Sequence, residues 1–138
     1  MVNPPPLALR RRADELHAAA QRELQHDPDA AALLLFYAAE CGMKSLYMLQ
    51  NSLKDTSEAR GSALAARSFV HDILRLAQAL KIPKSVYSPN PSFRVHRNGA
   101  SIDVSQLHQA WRYGEKIADT QLIFDWLLKI ISWVKNSR

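Results

Sequence analysis

One cysteine, four glycines and 8% aromatic residues among 138 positions leave several classes of protein without their raw material. A lone Cys41 cannot close an internal disulfide, which points to a reducing, cytoplasmic compartment. On an apolar helix it reads as a small buried residue rather than a nucleophile. One cysteine and five dispersed histidines give no zinc-ligand spacing, so neither a metal nor another cofactor is expected. Gly61, Gly99 and Gly114 are scattered and never form G-x-x-x-x-G-K, which removes the phosphate loop of nucleotide hydrolases. Long hydrophobic runs are missing too. The longest uncharged stretch of the most apolar segment is 30–39, far short of the roughly 20 residues of a membrane span, so no membrane contact is expected. The opening MVNPPPLALRRR sets its basic cluster after its short apolar piece, the reverse of a secretory leader.

What remains is the composition of one globular domain, 47% hydrophobic and 22% charged, with a stiff Pro-rich lead-in over 1–6. The central segment is 27–53. Asp27 is a suitable N-cap, Pro28 suits the first helical position, and Asp29 sits in the positive end of the helix dipole. The helix that follows is apolar around most of its circumference and would be packed on several sides. Only Glu40 and Lys44 interrupt it, spaced as a helical ion pair.

An amphipathic helix is predicted over 7–25, with Leu9, Ala13, Leu16, Ala20 and Leu24 inward. A third is predicted over about 63–80 and ended by Pro83, its start held loosely because Ser68 can cap a shorter version from near Val70. A short helix, QLHQAWRYG, follows a cap at Asp103 or Ser105 and stops at Gly114. The last helix, about 119–136, carries Leu122, Ile123, Trp126, Leu127, Ile130, Trp133 and Val134 on one stripe. The fold class is therefore all-α, a four- to five-helix up-and-down bundle forming a single domain over 1–138.

The longest irregular segment is 83–100. Asn98-Gly99 is a strong turn signal, and Val95 and Ile102 beside it allow a tiny hairpin. Lys81, Lys84, Arg94 and Arg97 lie in a stretch with no acid between Asp72 and Asp103, which accounts for most of the formal charge of +5. Two readings stay open for it: a solvated loop that is basic, or a surface for phosphate backbones in which Arg94 and Arg97 supply charge and Tyr87 and Phe93 stack bases.

The order FYAAECGMKSLYML, VHDILRLAQALKIP, LHQAWRYG and a closing helix ending ISWV resembles the HEPN superfamily (higher eukaryotes and prokaryotes nucleotide-binding domains) over about 30–134. The matching positions are Glu40 and Lys44, His71 and Asp72, and Arg112 and Tyr113. The resemblance implies a small helical bundle that often dimerises and handles RNA or nucleotides. It also implies either a metal-independent endoribonuclease of phage-defence and toxin–antitoxin systems or a non-catalytic module. RNase members carry an arginine, four to six residues, then a histidine; the corresponding place here is Arg67-Ser-Phe-Val-His71, with three between.

Metal-free RNA cleavage needs a histidine to move a proton and an arginine to face the phosphate, so Arg67 and His71 are the candidate catalytic residues. On a continuous helix they would share a face. The alternative is a helix-start histidine satisfied by nearby backbone or by Glu40. Glu40 and Lys44 either pair structurally or face the cleft beside His71. Arg112 and Tyr113 either bind phosphate and stack a base or close the bundle with Trp111. His96 and His108 have no partner at a useful offset. The aromatic side chains Phe36, Tyr47, Phe124, Trp126 and Trp133 exceed what one small core holds, so a homodimer or a heteromeric protein partner is expected, with Phe124 on a second face. The alternative is that the N-terminal helix covers that face.

Overall fold

The computed structural model describes residues 2–88, 91 and 93–138. Among them are five α-helices: α1 (Pro6–Glu23), α2 (Pro28–Gln50), α3 (Ile73–Ala79), α4 (Leu107–Arg112) and α5 (Thr120–Asn136). The one sheet among the described residues is an antiparallel pair, β1 (Phe93–Arg94) and β2 (Ser101–Ile102), in the register Phe93↔Ile102 and Arg94↔Ser101. The chain is thus a mostly helical bundle with a small hairpin.

Helix α2 is the axis. Its start is the one its sequence dictates: the Asp27 carboxylate accepts from the Ala30 N–H, and Pro28 occupies the first turn. α1 packs along one side of it and α5 along another. Gly42 lies where both meet it, with Val134 Cγ1 and Ala13 Cβ at 3.6 and 3.7 Å from where a Cβ would stand. Such close approach buries Leu35, Phe36, Met43 and Met48 completely. By length and hydropathy α2 alone of the described helices reaches the threshold for a membrane span, yet 67% of that window is buried inside the fold.

α2 ends at Gln50, three residues before its expected end. Ser52 adopts φ 55° and the Leu53 N–H reaches back to the Met48 carbonyl, a Schellman closure achieved without glycine. α3 ends in the same way at Lys81 (φ 58°), with the Ile82 N–H on the Ala77 carbonyl, so this cap rather than Pro83 stops the helix.

The largest departure from expectation lies in 63–80, which is not one helix. A 3-10 turn, Ala66–Phe69, is followed by a sharp break at Val70 (φ 53°, ψ −116°), and α3 begins only at Ile73. Two side chains compete with a continuous backbone ladder: Ser68 Oγ donates to the Ala65 carbonyl, and the Asp72 carboxylate caps the Arg75 N–H. Of the inner stripe expected for that helix, Leu64 is 52% exposed, and of the alternatives Phe69 or Val70, Phe69 is buried and Val70 is 61% exposed.

The aromatic crowding resolves within one chain. Phe36, Tyr47, Phe124 and Trp126 are all buried and Trp133 is half-buried, so Phe124 does not stand on an open second face and the argument for a dimer drawn from it falls away.

Candidate functional site

Break and cap together present His71 to the centre of α2. The Asp72 N–H closes a turn onto the Phe69 carbonyl with Val70 at its first corner, a position normally given to glycine because a β-branched residue is strained there. The Val70 carbonyl is held by Lys44 Nζ at 2.7 Å. One residue on, His71 Nδ1 meets the Glu40 carboxylate at 2.7 and 3.1 Å. Glu40 is only 6% exposed and also faces Lys44 Nζ at 3.7 Å. A carboxylate only accepts, so Nδ1 carries the proton and Nε2 is the nitrogen left for other work. The alternatives for Glu40, Lys44 and His71 are therefore joined: the ion pair on α2 and the histidine form one cluster.

That cluster contains a second histidine which sequence spacing did not reveal. His108, on α4, lies with its ring centroid 4.1 Å from that of His71 and stacks on Phe36 at 5.6 Å. It is 37 positions away in the chain, so no local offset signals the pair. Burial, then the charge of His71, then that of Arg112 push the His108 imidazole below its ordinary pKa. The Ser105 carbonyl works in the opposite direction, short of a well-formed hydrogen bond to the buried Nδ1.

The two imidazoles line an open groove of about 420 Å³. One wall is the strained turn and the start of α3, from Phe69 to Asp72 with Arg75; the other carries Ser105, Gln106 and Gln109. Arg67 is outside this lining. It is exposed on the 3-10 turn before the Val70 break, so it and His71 do not share a helical face as the sequence suggested.

Arg112 and Tyr113 divide the roles expected of them. Trp111 closes the bundle, Arg112 Nη2 donates to the Tyr37 hydroxyl at 3.3 Å, and Tyr113 stands 77% exposed where Gly114 (φ 80°) ends α4. Tyr37 connects them to the centre, with its ring 6.3 Å from His71 and 6.4 Å from His108.

The basic loop is different in space from its appearance in sequence. Tyr87 and Phe93 are 3% and 2% exposed, so they belong to the core and cannot stack bases. Phe93 instead meets the Trp126 ring edge-on at 5.9 Å. Arg94 binds both oxygens of Asp119, and Arg97 Nε donates to Glu115 at 3.3 Å. Those acids come from beyond residue 103, where the sequence count of the loop stopped. Pro89, Asn90 and Ser92, part of the expected irregular segment, lie outside the described residues.

Elsewhere Lys135 Nζ donates to His17 Nδ1 at 2.7 Å, and Arg138 binds both Asp14 oxygens, but the adjoining crevice of about 10 Å³ admits no more than a water. The Cys41 thiol is pushed up to about 11 by burial and by Glu40, which leaves it unreactive at neutral pH. Among the described residues no group of three or more His, Cys, Asp or Glu side chains has the arrangement of a metal site. No family model, curated protein or solved structure matches this chain.

Proposed function

We propose that this chain is a HEPN-like helical domain of a bacterial phage-defence or toxin–antitoxin system, binding RNA or nucleotides in the groove beside His71 and cleaving RNA there without a metal. The observation that carries the reading is the contact of His71 with both Glu40, through Nδ1, and His108, at 4.1 Å between rings. An imidazole fixed through Nδ1 offers Nε2 for proton transfer, and a second, neutral imidazole beside it can take the opposite part. In such a reaction the 2′-hydroxyl gives its proton to one imidazole and its oxygen bonds the phosphorus. The P–O5′ bond breaks, the leaving oxygen takes a proton from the other, and a 2′,3′-cyclic phosphate remains. Glu40 would orient His71 by holding its Nδ1.

The test is incubation of the purified protein with single-stranded RNA in excess chelator. Cleavage giving cyclic-phosphate ends, lost in His71→Ala and in His108→Ala, supports the reading. RNA left intact and unbound at high protein concentration overturns it and favours a non-catalytic subunit that contacts only protein.

A further inference from the structure

The groove has two unlike walls, and their difference specifies a ligand. Resting on the RNA-handling reading above, we propose that it holds one nucleotide unit, the phosphate against Arg75 and His71 and the base against Gln106 and Gln109.

Arg75 is the cation in the right state for this. Arg94, Arg97 and Arg138 each bind a carboxylate. Among the described residues no carboxylate pairs with the Arg75 guanidinium, which lies over the Phe69 ring at 5.2 Å from its centroid. A guanidinium laid on an aromatic face keeps its N–H edges open in a fixed plane, the geometry that grips phosphate with two parallel hydrogen bonds. The one acid in the lining, Asp72, is already occupied in capping the Arg75 N–H at 3.1 Å.

The opposite wall is neutral. Gln106 and Gln109 are exposed, three residues apart, and both line the groove. Each amide presents a donor beside an acceptor, the pattern that matches the edge of a nucleobase. About 420 Å³ is within the range of small-ligand sites and suits a single nucleotide rather than a duplex.

The test is calorimetric or NMR titration of the full chain with AMP, GMP, CMP, UMP and inorganic phosphate. Arg75→Ala is expected to weaken the nucleotides and phosphate alike by roughly tenfold or more, with Arg75→Lys recovering only part. Gln106→Ala with Gln109→Ala is expected to leave phosphate binding intact and to erase differences among the four nucleotides, with helical content unchanged by circular dichroism. Absence of nucleotide binding at millimolar concentration, or affinities indifferent to Arg75, overturns the proposal, as does equal binding of all four nucleotides by the unaltered chain. RNA cleavage that needs His71 but ignores Arg75, Gln106 and Gln109 removes this assignment and leaves the RNA-handling reading standing. Base-selective nucleotide binding without any action on RNA does the reverse.

Discussion

Two basic regions of this molecule look alike in composition and differ in what they have done with their charge. In the hairpin, Arg94 and Arg97 are bound to Asp119 and Glu115, and the aromatic residues between the cations are buried. In the groove, His71 and His108 face one another, Arg75 rests on a ring, the one acid in the lining, Asp72, caps α3, and Glu40 holds His71 from behind. The hairpin uses arginine to fasten a loop to the start of α5. The groove keeps cations and proton carriers addressed to a space. A run of basic residues in a sequence is therefore a poor locator of an anion site until the acids that fold back onto it are known.

The largest expected effect comes from removing the buried ring on which His108 stacks. Phe36 is fully buried and stacks on His108, so Phe36→Ala should cost about 3–5 kcal/mol in chemical denaturation. It should also release the His108 ring, visible as a changed imidazole signal; a loss under about 1 kcal/mol would mean that Phe36 is not packed as described.

Next in size is Glu40→Gln, which leaves Lys44 and His71 without their shared acceptor charge. A loss of roughly 1–3 kcal/mol is expected in chemical denaturation. Arg94→Ala, by contrast, should barely move the melting temperature, because the Arg94 side chain is mostly exposed and the residue-94 backbone N–H still donates to Asp119. Equal effects of the two substitutions would erase the contrast between the regions.

Val70→Gly tests the strained corner. The side chain is mostly exposed and the backbone has a glycine-type φ of 53°, so the variant should be more stable by about 1 kcal/mol, the strain relieved exceeding the entropy added. A destabilised variant would show that the valine side chain matters more than the turn.

The smallest effect is on pH dependence. The folded chain holds His108 and His17 below their ordinary pKa, so the unfolded state binds more protons as the medium is acidified. Stability is expected to be full above the unfolded histidine range and to fall as pH drops from about 7 toward 5. His108→Phe, which keeps a ring on Phe36, should make that fall shallower. An unchanged slope would remove His108 as a contributor.

Much of this arrangement was legible before any coordinates. Asp27-Pro28 announces α2, the spacing from Ile123 to Val134 announces α5, and Asn98-Gly99 announces the hairpin. These are signals carried by neighbouring residues. Glu40, Lys44 and His71 were legible as candidates because charged residues on an apolar background need partners. The break at Val70 was not, since helix-favouring residues flank it and the competing bonds come from Ser68 and Asp72 side chains. His108 was missed because its partner is distant in sequence. Arg75 was not singled out, because the Phe69 ring beneath its guanidinium is a contact that no motif announces, and Arg94 was counted as free because Asp119 was too far along the chain to enter the count.

The most direct measurement is an NMR titration of the full chain with a short single-stranded RNA, following the His71 and His108 ring signals alongside the backbone amides of Arg94 and Arg97. The expected result is movement of both imidazole signals with little change in the hairpin, lost in Arg75→Ala. Shifts confined to Arg94 and Arg97, with His71 and His108 unmoved at saturating RNA, would contradict the placement of the site in the groove.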